Sequence, residues 1–100
     1  MVLNDIDILE GNIEVDDDTY YSTVQRAINE GSAWRLQGSY GRSMMLAIEA
    51  GRCMLGPNAC DDAYGNHIPS RHDVQPGTKG SRGFVVQAVG EEWAKLIESF

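Results

Sequence analysis

The chain has only two cysteines and three prolines, and no apolar run approaching the roughly 18 residues that span a bilayer. Its N-terminal stretch, MVLNDIDILEG, has no base and no apolar segment ending in small residues, so it is not expected to be a secretory signal. The expectation is a soluble cytosolic protein without membrane contact, whose two thiols stay free rather than bridged. Catalytic signatures are missing as well: there is no nucleophile elbow, no H-E-x-x-H and no Ser/His/Asp ordering. His72-Asp73 and Asp61-Asp62 are sequence neighbours, so their side chains diverge and neither pair makes a catalytic dyad. No internal repeat or low-complexity tract is present. The chain is read as non-enzymatic.

One hundred residues suffice for one modest core. The net charge of −7 is unevenly placed: residues 1–18 hold seven acids (Asp5, Asp7, Glu10, Glu14, Asp16, Asp17, Asp18) and no base. The other 82 residues carry eight acids and eight bases and are neutral. The acidity therefore belongs to a segment, read as an acidic arm or hairpin over 1–18 ahead of a single compact domain over 19–100. Such a block is a solvated face, or an arm that steers a basic partner.

Apolar periodicity sets out the elements. Ile6 and Ile8, then Ile13 and Val15, alternate around Glu10-Gly11-Asn12, which predicts a short N-terminal β-hairpin or strand pair. A helix is predicted from Asp18 to about Glu30, capped by Asp17 or Asp18 and stopped by Gly31. Tyr20, Val24, Ala27 and Ile28 form its apolar stripe. A second helix is predicted from Ser39, its cap, to Ala50, with Tyr40, Met44, Ala47 and Ile48 inward and Gly51 as the stop. Between them, Ser32 to Gly38 reads as a short strand or a bent helical connection holding Trp34 and Leu36. The apolar run Arg52–Leu55 is a candidate to pair with Trp34–Leu36. After Ser81, another cap, Phe84, Ala88, Trp93, Leu96, Ile97 and Phe100 follow a helical spacing. Gly90 within it is either tolerated or splits the stretch into a strand over Phe84–Val89 and a helix over Glu91–Ser99. The fold class is a helix-rich α+β domain.

The 23 residues from Asp61 to Gly83 have no hydrophobic periodicity. Loops of this length are uncommon in compact domains unless they are functional or disordered. This one holds Tyr64, both histidines, two prolines and three of the eight bases, so it is read as an ordered loop carrying the binding surface. Within and beside it, Cys53, Cys60, His67 and His72 stand in the order C-x6-C-x6-H-x4-H, a donor set able to make a tetrahedral zinc shell. The cysteine spacer exceeds the usual two to four residues. The plainer alternative is preferred: Cys53 packs as a small hydrophobe, Cys60 is free, and the histidines lie on the surface, with no cofactor. The run from Pro76 to Gly83 offers three glycines and the bases Lys79 and Arg82, as an anion site would, or else a tight turn and helix cap; the turn is preferred. Arg71, His72, Lys79 and Arg82, with Arg35 and Arg42, make a small basic cluster beside Tyr64, the pairing that nucleic-acid contact uses. A pI near 4.6 argues against that use. Trp34 and Trp93 are expected in the core, and of the tandem Met44-Met45 one faces inward and one outward.

The segment Ala33 to Arg42, the helix end Ala47 to Gly51 and the loop Tyr64 to Ser81 (YGN, PSR, PGTKGS) together carry a resemblance. Over about residues 27–83 the chain resembles small proteins encoded by mycobacteriophage-like viruses of actinobacteria. The resemblance implies a phage origin and the cytoplasm of the infected bacterium as the place of action, and brings no activity with it. The resulting expectation is a small phage accessory protein that binds a host or phage protein through the 61–83 loop. Tyr64 would be the aromatic anchor, Asn66 a turn-forming residue, and Arg71, Lys79 and Arg82 the polar contacts. The alternatives are a nucleic-acid-associated protein, zinc-stabilised or not, and a minor virion component.

Overall fold

A computed structural model describes residues 3–36 and 39–100, apart from the side chains of Leu3 and Ser39. Its elements are α1 (Leu3–Leu9), α2 (Asp17–Glu30), a 3₁₀ turn (Ser32–Arg35), α3 (Ser39–Glu49), β1 (Cys60–Asp61), β2 (His67–Ile68), α4 (Arg82–Ala88) and α5 (Glu91–Glu98). This is the expected helix-rich α+β class. Among the described residues no helix is long and apolar enough to cross a membrane.

The N-terminal hairpin is overturned, because residues Leu3–Leu9 are helical. A two-stranded ribbon alone is marginal in water. The helix instead buries Ile8, 6 % exposed, and packs Leu9 against the main core. Gly11, at φ +79°, closes α1 where the hairpin turn was expected. The strand pair lies further along: β1 and β2 are antiparallel, with Cys60 opposite Ile68 and Asp61 opposite His67.

Helix α2 begins one residue earlier than its acids suggested. Asp16 is the cap, its Oδ1 accepting the Thr19 N–H at 2.8 Å, while Asp17 and Asp18 sit in the first turn, where the helix dipole favours them. Gly31, at φ +85°, ends the helix and donates its N–H to Ala27 O. Helix α3 buries Met44, Ala47 and Ile48, as its stripe required. The cap expected at Ser39 falls outside the described side chains.

The strand alternative over Phe84–Val89 is overturned, and the stretch takes the helical one of its two readings. It is helix α4, capped by Ser81, whose Oγ accepts the Phe84 N–H at 3.2 Å. Without a partner strand, the cap and helical hydrogen bonding prevail. Gly90, at φ +120°, separates α4 from α5, and the break expected there is present.

The interior comprises a main core and a satellite. Val24, Ile28, Trp34, Met44 and Ile48 dominate the first, and Met54, Val85, Ala94 and Ile97 make the second, with Trp93 packed against it. The segment Cys53–Leu55 runs between them: Cys53 and Leu55 enter the main core, Met54 the satellite. This segment does not pair with Trp34–Leu36. Both polar groups of the Met54 backbone bond to Gln25, and the Leu55 N–H donates to Gly80 O at 2.9 Å. Arg52 reinforces the junction, its guanidinium lying 4.5 Å from the Tyr21 ring centroid and 5.0 Å from that of Trp93. That placement between two aromatic faces accompanies a buried Nε with no hydrogen-bond partner among the described residues.

Candidate partner-binding face

The long loop is ordered by its own polar groups. Asp62 governs its tip: Oδ1 accepts the N–H groups of Tyr64 at 2.9 Å and Asn66 at 2.8 Å, and Oδ2 accepts Asn66 Nδ2 at 3.1 Å. These bonds, led by the Asn66 N–H, hold the Asp62 carboxyl below the usual aspartate range. Gly65, at φ +82°, completes the turn. The product is an exposed Tyr64, 77 % accessible on a short tip tied by five hydrogen bonds to Asp62 and its backbone.

Tyr64 borders a groove of about 320 Å³, lined also by Trp34, Leu36, Arg42, Met45 and Ile68. A second groove of about 290 Å³ shares Met45 and Ile68, and reaches Val74, Pro69 and Lys79. Leu36 and Met45 are more than two-fifths exposed, and Leu46, next along α3, is 66 % exposed. Aromatic and aliphatic groups thus meet on one face, with Arg42 and Lys79 at its edges.

The predicted contact residues divide sharply. Tyr64 is exposed on this face, Asn66 makes the turn bonds expected of it, and Lys79 lines the second groove. Arg71 is not a surface group. It is 8 % exposed, its Nε donating to Leu55 O at 2.8 Å and its Nη2 to Asn29 Oδ1 at 2.9 Å, and burial depresses its pKa. Arg82 is engaged too, bonded to Glu91 at 2.5 Å and to Glu98 at 3.2 Å, which clamps α4 to α5. Both are structural fasteners. Their partners lie 9 to 42 residues away in sequence, so spacing could not reveal them.

The zinc arrangement is not formed. Cys53 is fully buried, its Sγ donating to Tyr21 O at 3.4 Å, and burial pushes its thiol up to about 12. Burial also raises the Cys60 thiol, and His67 pairs with Asp61 at 3.4 Å on the exposed hairpin. Among the described residues no group of three or more His, Cys, Asp or Glu could hold a metal. The glycine-rich run closes on itself: Ser81 Oγ accepts the Gly77 N–H at 3.0 Å and donates to Thr78 O at 2.7 Å. That is the tight turn and cap.

The N-terminal acids have internal partners as well. Asp5 meets Arg26 at 3.5 Å, Asp18 meets Arg52 at 3.2 Å, and Glu10 accepts the Tyr40 hydroxyl. Sequence reasoning missed Leu36 and Ile68 as part of the face, and the exposed Leu46 next to it on α3. The available signal was on α3, where Met45 and Leu46 fall outside the Met44, Ala47, Ile48 stripe. Comparison with protein-family models, with curated proteins and with solved structures finds no match.

Proposed function

We propose that this is a small phage accessory protein that acts by binding rather than by catalysis, engaging a host or phage protein through the face around Tyr64. One observation carries the reading: a tyrosine 77 % exposed, on a tip fixed by Asp62, beside exposed Leu36 and Met45. Holding a large aromatic out on a tied turn exposes apolar area that folding alone would bury, and aromatic anchors of this kind dominate protein interfaces. The site of action is the cytoplasm of the infected bacterium, as the phage resemblance implies. The non-catalytic part draws support from the paired His67 and Asp61, both more than three-fifths exposed on the hairpin.

The nucleic-acid alternative draws less support. Arg71 spends its guanidinium inside the protein and Arg82 is paired with Glu91 and Glu98, which leaves Lys79 as the loop's exposed base without an ion pair among the described residues.

The test is affinity capture from host lysate with wild type and a Tyr64→Ala/Met45→Asp variant, each with and without nuclease treatment, with captured proteins identified by mass spectrometry and nucleic acid assayed. A tyrosine hot spot is worth about 2 kcal/mol, so the identified partner should bind the variant about 30-fold more weakly. Recovery of nucleic acid alone, or equal capture by both forms of a chain that does not self-associate, sinks the reading.

A further inference from the structure

Helix α3 presents an unusual outward stripe. Arg42, Met45, Leu46 and Glu49 fall within about 100° of arc at 3.6 residues per turn, opposite the buried Met44, Ala47 and Ile48. Arg42 and Glu49 are exposed and neither makes an ion pair within the described residues. Arg26, Arg52 and Arg82, by comparison, have carboxylate partners. The midpoint between Arg42 and Glu49 falls between Met45 and Leu46, two of the exposed large apolar side chains.

That order, base, two apolar residues, acid, is its own complement when reversed. A two-fold axis over Met45 and Leu46 would set two α3 helices antiparallel, each Arg42 opposite the other copy's Glu49. The apolar pair then meets itself at the centre, and Leu46 gains the groove beside Met45 and Tyr64 as a seat. An acidic partner would leave Glu49 repelled, and a basic one would leave Arg42 repelled. Only a partner carrying both charges in the reverse order satisfies both, and a second copy of this chain carries them.

We propose that the occupant of this face is a second copy of the chain, docked antiparallel along α3. The inference rests on reading the face as a protein-binding surface, and names its partner. It also places two Tyr64 tips on one assembly.

The experiment is sedimentation equilibrium on the full chain from micromolar to millimolar concentration, with circular dichroism to check folding. Wild type should move from the mass of one chain to the mass of two. Because the axis repeats each contact, Arg42→Glu or Glu49→Arg alone creates two like-charge contacts and should weaken the dimer about tenfold or more. The double variant Arg42→Glu/Glu49→Arg restores opposite charges and should recover wild-type association. A wild type that stays at the mass of one chain, or a double variant as weak as the singles, overturns the inference. If the chain is monomeric yet lysate capture still depends on Tyr64 and Met45, this inference alone fails. If capture is also indifferent to those residues, the reading of the face fails with it.

Discussion

Gln25 and Met54 exchange two hydrogen bonds across 29 residues of chain: Gln25 Nε2 donates to Met54 O at 3.0 Å, and the Met54 N–H donates to Gln25 Oε1 at 2.8 Å. A buried amide side chain thereby does for Met54 what a neighbouring strand would do. Gln25 is fully buried on α2, a position where a polar residue persists only when its groups are satisfied.

Replacing that amide with an apolar isostere should therefore be costly. Gln25→Met leaves the Met54 N–H and carbonyl buried without partners, at about 1–3 kcal/mol for each group. The expected total is about 3 kcal/mol, read as a lower urea midpoint with an unchanged slope. A loss within about 0.5 kcal/mol, the range of an ordinary surface substitution, would show that the pair contributes little.

Gly51 offers a steric test. It adopts φ +76°, and a Cβ there would collide with Ala88 Cβ on α4. Gly51→Ala should destabilise by about 2 kcal/mol or more, from the left-handed backbone and the clash together. Ala88→Gly removes the clash but not the backbone penalty. The double variant should accordingly be more stable than the sum of the singles, with a coupling of about 1 kcal/mol in a double-mutant cycle.

Acid sensitivity should trace partly to Asp62. Its folded-state pKa is depressed below the unfolded value by the Asn66 N–H and its companion donors. A depressed carboxylate contributes stability above its unfolded pKa and loses it as pH falls through the folded value. The same sign holds for Asp16, held down by the Thr19 bonds, and for Asp73, held down by Ser70. Urea midpoints should thus fall as pH drops below about 4, and Asp62→Asn should flatten that fall. An identical acid limb in wild type and variant would remove Asp62 from the account.

Thiol chemistry separates the two cysteines. Cys53 is fully buried with its pKa pushed up to about 12, and Cys60 is partly accessible. A disulfide reagent at mild alkaline pH should modify one thiol per native chain, slowly, at Cys60, and the second only on unfolding. Because the cysteines and histidines are not gathered, zinc or a chelator should leave the melting temperature unchanged.

The legible parts of the fold were those written in local chemistry. The stripes of α2 and α3, the Ser81 cap and the break at Gly90 need only residues within a turn or two of one another. The N-terminal hairpin failed because alternation over so few residues fits a helix as well, and tertiary packing decided, whereas at Phe84–Val89 the helical spacing held over the strand alternative. Tyr64 was legible because turn chemistry at Asp62, Gly65 and Asn66 is local. Arg71 was not, because its carbonyl and amide partners at Leu55 and Asn29 come from distant segments.

The alternation of Cys53, Met54 and Leu55 between the two apolar clusters has a thermodynamic corollary. A spacer would let the C-terminal helices detach while the remainder stayed intact. Here one short stretch of backbone is a wall of both compartments, so opening either one strips cover from the other. Nature has also supplied a fluorophore for each side, Trp34 in the larger cluster and Trp93 against the smaller. Emission followed separately in Trp34→Phe and Trp93→Phe proteins, with each variant's own stability taken into account, should trace the same unfolding curve as backbone ellipticity, making the molecule a single cooperative unit despite its divided interior.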